Sequence, residues 1–172
     1  KCDEASALVC DRVSAHVAMV TLGEEGSRSF PVVSRVPYGV QIGAVEHHQE
    51  SPEAYFAHTP GVRVVSPATP QDGYWMIQQA IASNDPVMFF EPKSRYWQKG
   101  EVDRDGVAGE FQASRVVRVG TDITLVGHGA LGPALLPPAD IAAREGTSRR
   151  VIAPPPAAPA SAPPPHAPAP PT

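Results

Sequence analysis

The chain has 172 residues, room for one domain or one and a fraction around a single hydrophobic core. With 14 Lys and Arg against 18 Asp and Glu it carries a formal charge of -4 and no basic cluster, so neither nucleic acid nor an anionic membrane is expected as its main partner. No apolar run approaches the ~20 residues a bilayer demands, the first residues lack the apolar segment of a signal peptide, and Cys2 and Cys10 would stand about 12 Å apart on a helix, too far to bridge; a soluble chain in the reducing cytoplasm is the expectation.

Residues 5–21, ASALVCDRVSAHVAMVT, place Leu8, Val9, Val13, Val17 and Val20 three and four apart, the spacing of one buried helical face. After the loop GEEGSRS, FPVVSRVPYG (30–39) reads as a Val-rich strand stopped by Pro37 and Gly39. His47 and His48 then fall on a loop that ends at Ser51. Ser51 can cap a helix with Pro52 at its first position, where a missing amide hydrogen costs least, so PEAYFAHT predicts one or two turns closed by Gly61. VRVVS (62–66) is a short strand. Thr69, Pro70 and Asp72 repeat the helix-start signal before GYWMIQQAIAS, where Tyr74, Ile77 and Ile81 share a face. PVMFFEP (86–92) is a continuous apolar run between prolines, the mark of a strand covered on both faces in a parallel sheet. Strand, helix, strand in that order implies a right-handed crossover, so residues 31–91 read as α/β.

Beyond Lys93 the sequence turns charged and glycine-containing, KSRYWQKGEVDRDGVAGEFQAS, as an interdomain connection does. RVVRVGTDITLVGHG then opens a second α/β unit. Its helix holds Pro133, Pro137 and Pro138, and an interior proline costs about 3 kcal/mol or more, so the helix is expected to break and restart near Ala139 ahead of the strand RRVIA. The predicted organisation is a mostly parallel α/β domain over 1–92, a linker over 93–115, the opening of a second α/β domain over 116–152, and a disordered Pro/Ala-rich tail over 153–172 with no large apolar side chain to bury.

Several residue sets bear on chemistry. Glu46, His47, His48 and His58 carry imidazoles and a carboxylate, groups that suit zinc, although adjacent histidines diverge on an extended chain. His48 taken alone is a loop histidine bonded to a carbonyl. Tyr74, Trp75, Phe89 and Phe90 read as core, Glu91 with Lys93 and Arg95 as a solvated ion pair, and GHG (127–129) as a tight turn after a strand.

The strings EHHQESPEAYFAHTPG, VVSPATPQD and PVMFFEPKSRYW, followed by GTDITLVGHG and ADIAAREGTSRRVI, occur in one order over about residues 5–152. In them the chain resembles the beta subunit of the thiamin-diphosphate-dependent decarboxylase component of 2-oxoacid dehydrogenase complexes, most of all its branched-chain branch, with pyruvate and acetoin dehydrogenase as the alternatives. The resemblance implies a partial transketolase-like pyrimidine-binding domain and a thiamin diphosphate shared with an alpha subunit, which holds the diphosphate and magnesium. Asn84 is the sole asparagine here, whereas the diphosphate motif calls for paired asparagines. It also implies that His48 faces the thiazolium, to protonate the departing sulfur of a lipoyl group on the acyltransferase core or to orient the substrate carboxylate, work suited to an imidazole titrating near neutral pH. His47 would orient the loop. A structural potassium would be held by main-chain carbonyls near Val32, Val33, Ala80, Ser83 and Asp85. Three departures accompany the likeness. The family's activating carboxylate lies upstream of Lys1, Ala5 stands where an aromatic stacks on the ring, and Val40 and Gln41 replace glycines after PYG. With most of the second domain replaced by the tail, catalysis by the chain alone is not expected. Two other classes compete: a noncatalytic fragment whose Pro-rich tail engages an aromatic-lined groove, and a small metal-dependent hydrolase built on the histidine cluster.

Overall fold

The computed structural model describes residues 29–40, 43, 49–106, 108–109, 111 and 113–153. The expected helix over 5–21, the residues Glu46, His47 and His48, and the tail from 154 lie outside them. In chain order the elements are β1 (Val33–Tyr38), α1 (Glu53–Ala57), β2 (Arg63–Val65), α2 (Pro70–Ala82), β3 (Val87–Pro92), a 3-10 turn (Lys93–Arg95), β4 (Arg115–Arg118), β5 (Ile123–Val126), α3 (Leu131–Ala134), α4 (Leu136–Arg144) and β6 (Arg149–Ala153).

Side-chain alternation on β3 organises the first unit. Met88 and Phe90 join Tyr38, Phe56, Val62 and Val64 in one cluster, while Val87 and Phe89 join Val65 and Ala80 in another. The strand is thus buried on both faces, as its unbroken apolar run predicts. β1 and β2 flank it in the order β1-β3-β2, both parallel to it, with Val33 opposite Val87 and Arg63 opposite the same residue. Helix α1 covers one face through Phe56, whose ring lies 5.7 Å from that of Phe90; α2 covers the other through Ala80, Met76 and Ile77. Complete burial of a phenylalanine side chain contributes about 1.5–3 kcal/mol, so the Phe56–Phe90–Tyr38 contacts carry much of this small core. Pro37 is tolerated inside β1 because β1 is an edge strand among the described residues.

Helix α2 begins as Thr69, Pro70 and Asp72 predict. The Thr69 hydroxyl accepts from the Asp72 amide at 3.2 Å and the Asp72 carboxylate accepts from the Thr69 amide at 3.0 Å, a reciprocal capping box. Its buried face differs from the expected one. Ile81 is 67% exposed, and the face toward the sheet runs through Met76, Ile77 and Ala80, a stripe with the same three- and four-residue spacing that packs on Val87 and Phe89. Helix α1 also departs from expectation: it starts at Glu53, with Pro52 rather than Ser51 at the cap and no side-chain cap bond. Pro52 has ψ near 7°, already turning, whereas a side-chain cap needs extended backbone.

The segment after the 3-10 turn returns along α2. Gln71 accepts from the Asp103 amide at 2.8 Å, the Trp75 indole donates to the Asp103 carbonyl at 3.1 Å, and Gln79 donates to the Gly109 carbonyl at 2.7 Å. Trp75 and its neighbour Tyr74, expected in the core, are half-buried beneath this strap, their rings 5.2 Å apart.

The second sheet has the order β4-β6-β5, with β5 parallel and β4 antiparallel to β6. The helix between β5 and β6 breaks at Leu135, yet it restarts at Leu136 rather than near Ala139, because Pro137 and Pro138 then occupy a first turn that needs no amide donors. Ala139 and Ala142 pack α4 onto β6. The Asp122 carboxylate accepts from the Ser148 amide at 2.8 Å and from the Thr121 hydroxyl at 2.9 Å, which ties the starts of β5 and β6 and holds its pKa below the ordinary range.

Two substitutions test this core. Thr69→Ala should lower unfolding stability by about 1 kcal/mol and Phe90→Ala by about 3–5 kcal/mol, both read as shifts of the urea midpoint at unchanged slope.

Candidate functional site

Open parallel α/β sheets bind ligands at the carboxyl ends of their strands. Here that edge holds Tyr38 at the end of β1, Ser66 and Pro67 after β2, and Pro92 with the 3-10 turn after β3. In the sequence β1 is followed by the segment that carries His47 and His48. The Gly39 amide, at φ +82°, donates to the Glu50 carbonyl at 2.9 Å, so the two ends of residues 39–50 are tied together at this edge. His47 and His48 fall between these two residues in the sequence and lie outside the described residues.

Around the loop's root four side chains converge. The buried Tyr38 hydroxyl and the Ser66 hydroxyl share a hydrogen bond of 2.9 Å. Burial pushes the Tyr38 phenol above its ordinary pKa; the Ser66 bond opposes this, the charge of Glu53 adds to it, and a bond with the Ala130 backbone opposes it. Glu53, the first residue of α1, holds one carboxylate oxygen 3.9 Å from Nε2 of His128, while its other oxygen is buried with no hydrogen-bond partner. Gly129 touches the same place: a Cβ there would come within 2.6 Å of both the Ser66 and Tyr38 hydroxyl oxygens. The sequence marked GHG as a tight turn, and Gly129 does take φ +53°; that this turn packs against the first sheet had no local signature.

On the α2 face of the same edge a cleft of about 390 Å³ is lined by Arg35, Thr69, Glu91, Arg95, Tyr96 and Gln98 among others. Glu91 was expected to pair with Lys93 and Arg95. It pairs instead with the Arg35 guanidinium on the neighbouring strand and accepts from the Tyr96 hydroxyl at 3.0 Å. The 3-10 turn carries residues 93–95 off the strand, leaving Lys93 buried and Arg95 donating to the Ala130 carbonyl at 2.6 Å. Desolvation, then the hydrogen bond and charge of Glu91, push Tyr96 up to about 12, and the Glu91 bond raises Arg35. The amides of Ala68 and Thr69 at the start of α2 already donate to Asp72 at 3.2 and 3.0 Å, so those two donors face their own cap.

The residues whose carbonyls were expected to hold potassium belong to the opposite end of the sheet, at the start of β1 and around the end of α2. Val32 accepts from the Val87 amide at 2.8 Å, Ala80 from Ser83 at 3.2 Å, and Asn84 from Phe30 at 3.1 Å, while the Ser83 hydroxyl accepts from the Asp85 amide at 3.1 Å. Each carbonyl oxygen keeps a second lone pair. The Asp85 side chain is engaged with Arg63 at 2.5 Å. Among the described residues no three or more His, Cys, Asp or Glu side chains gather as metal ligands, and His58 is exposed just past α1. None of the described helices is long and apolar enough to cross a membrane.

A parallel sheet with helices on both faces and polar side chains at its carboxyl edge defines an α/β domain of the open-sheet class. Residues 11–98 match the family described as transketolase, pyrimidine binding domain, and the chain belongs to that family. The chain is 56% identical over 142 residues to the pyruvate dehydrogenase E1 component subunit beta of Leifsonia xyli, covering 83% of this chain and 42% of that protein. It is 42% identical over 135 residues to the 3-methyl-2-oxobutanoate dehydrogenase subunit beta of Mycobacterium tuberculosis, covering 78% and 39%. For the 2-oxoisovalerate dehydrogenase subunit beta of Bacillus subtilis the identity is 33% over 143 residues, covering 83% and 44%. The chain thus spans less than half the length of these curated relatives. Among solved structures, an inactive beta4 tetramer of a split-gene transketolase superposes with a TM-score of 0.57 at 19% identity, over 84% of this chain and 46% of that one. A transketolase mutant of Pichia stipitis gives 0.58 at 20%, over 85% and 22%. Both confirm the transketolase-like α/β fold.

The Glu91 contacts carry a titration test. In Glu91→Gln the Tyr96 phenol should lose its proton at a lower pH than about 12 while staying above the free-tyrosine value, since desolvation persists; tyrosinate absorbance measures it. Because the folded chain holds this proton more tightly than the unfolded one, the associated stability is present below about pH 10 and is lost as pH rises toward 12.

Proposed function

We propose that the chain is the beta subunit of the decarboxylase component of a 2-oxoacid dehydrogenase complex, working in the cytoplasm on a thiamin diphosphate site shared with an alpha subunit. One observation carries this: on a chain 56% identical to a named beta subunit, the EHH–SPEA string follows β1 in the sequence and runs into α1, where the Gly39 amide and the Glu50 carbonyl meet at the carboxyl edge of the sheet. When bound, thiamin diphosphate supplies the carbanion chemistry that releases carbon dioxide from a 2-oxo acid. This chain's part is the ring-facing side of the pocket. Asn84 stands at the amino end of β3, away from that edge, which supports assigning the diphosphate and its magnesium to the alpha subunit. His48 donates a proton to the lipoyl sulfur that departs as the acyl group passes to the acyltransferase core, or holds the substrate carboxylate. His47 orients the loop. Carbonyls of Val32, Val33, Ala80, Ser83 and Asp85 hold a structural potassium that joins the amino end of β1 to the end of α2.

The motif string favours a branched-chain 2-oxo acid, as do relatives named for 3-methyl-2-oxobutanoate and 2-oxoisovalerate; the more identical Leifsonia relative is named for pyruvate. Rates with both substrates decide between them.

Co-expression with a cognate alpha subunit tests the whole. The pair should bind thiamin diphosphate where this chain alone does not, by calorimetry. His48→Ala should slow lipoamide acylation by about 100-fold or more while His58→Ala leaves it unchanged. An unaffected rate in His48→Ala, or no assembly with alpha, refutes the proposal. For the cation, replacing sodium by potassium at equal ionic strength should raise the melting temperature, and no difference refutes the site.

A further inference from the structure

We propose that the cleft between α2 and the sheet is a binding site for a small monocarboxylate with a short aliphatic body. Its volume of about 390 Å³ falls within the range of about 300–1,000 Å³ that ligand pockets occupy. Phe89, Ile77 and Pro70 supply apolar wall, and the charge is confined to Arg35, Glu91 and Arg95. The hydrogen bonds of these three decide the sign of the ligand. Each Glu91 oxygen already holds a donor, one from Nε of Arg35 and the other from the Tyr96 hydroxyl at 3.0 Å, so the carboxylate has little left to offer a cation. The guanidiniums keep spare donors. Arg35 engages Glu91 through Nε and its side chain is 65% exposed, which leaves both terminal nitrogens without a hydrogen bond among the described residues. Arg95 has a buried Nε with no partner there. With one positive charge in excess, and with Arg35 held in place by Glu91, the lining presents a pre-set fork that a carboxylate matches with two parallel bonds.

Gly73, on the helix side of the cleft, points the same way. It stands inside α2 in helical backbone, where glycine costs stability relative to alanine, and a Cβ there would meet nothing within 4 Å beyond its own helix. Neither a turn nor close packing within the chain calls for glycine at this position; the space it leaves belongs to the cleft. The inference is independent of the function proposed above.

Titration of the full chain followed by nuclear magnetic resonance tests it, with isovalerate as the probe and isopentylamine, of the same carbon skeleton and opposite charge, as the control. The acid should shift the amides of Gly73, Phe89 and Gln98 saturably with a Kd of about 1 mM or tighter, and the amine should not. Gly73→Leu fills the cleft from a position that the fold tolerates, so it should raise the melting temperature and weaken the acid by about 10-fold or more. Arg35→Ala should weaken it by about 10-fold. Equal shifts with acid and amine, inorganic phosphate binding as tightly as the acid, no saturable shift up to about 10 mM, or wild-type affinity in Gly73→Leu overturns the inference. Where one variant loses the native amide spectrum the other decides, and where both do, acid against amine on the wild-type chain decides.

Discussion

Everything in the first unit hangs on β3 being buried from both sides. With Val87 and Phe89 facing α2 and Met88 and Phe90 facing α1, this one strand is the shared wall of two clusters, and neither helix has another surface of comparable apolar area to cover. The strands beside it follow from parallel pairing. Parallel strands need crossovers, and the crossovers bring the helices that cover the faces. A three-stranded sheet is close to the minimum that folds, so the aromatic contacts of Phe90 with Tyr38 and Phe56 matter out of proportion to their number. Tyr38 belongs to that cluster through its ring and to the polar edge through its hydroxyl. Packing in the core therefore fixes the carboxyl end of β1 and the hydroxyl it presents there.

The polar groups divide by the sheet's two ends and two faces. At the carboxyl edge on the α1 side, Tyr38, Ser66 and Glu53 are drawn out of water by the turn at 127–130. On the α2 side, Arg35, Glu91 and Tyr96 form a network in which the carboxylate is largely covered while the guanidinium reaches solvent, 14% against 65% exposed. That asymmetry is why Glu91 perturbs its neighbours: a shielded charge acts at a lower effective dielectric than a wetted one. At the amino end the groups are mostly backbone carbonyls already bonded within the chain, an arrangement tolerant of side-chain change.

The sequence made the strands and the main crossover legible because their signals are local. PVMFFEP bounded by prolines, and Thr69 with Asp72 three residues on, state a doubly buried strand and a capping box without reference to anything distant. Errors came where tertiary fit overrides period. Ile81 satisfies the helical spacing but faces outward, since the stripe through Met76, Ile77 and Ala80 has the same spacing and is the one against the sheet. Ser51 has the right side chain for a cap and the wrong backbone beyond it. Glu91 has basic neighbours in sequence and a different one across the strand, because pairing brings residue 35 nearer than a turn brings residue 93. His47 and His48 stand out by their motif string and lie outside the described residues, whereas the groups that meet beside the end of β1 have no such mark. Glu53, Ser66 and His128 are separated by 13 and 62 residues, and no periodicity encodes that meeting.

The second sheet explains why such a meeting is needed. Its outer strands leave Val116, Ile123 and Val126 about half exposed, and its buried side chains are few and small, chiefly Val151, Ala139 and Ala142. A unit with so little core of its own draws stability from whatever surface it can share. Its turn at Gly129 meets the first unit beside the Tyr38–Phe90 contact, and its strand β4 begins with Arg115 paired to the Asp72 cap of α2 at 2.9 Å. These attachments lie near the two ends of the connecting strap, one at each face of the first sheet. Hinging about a single point is thereby opposed, and the cost of ordering the strap is spread over two contacts instead of one. The contacts that keep a small second unit in register thus fall on Tyr38 and Asp72, side chains the first unit already uses in its core and in its helix cap, so the two units draw stability from the same few groups.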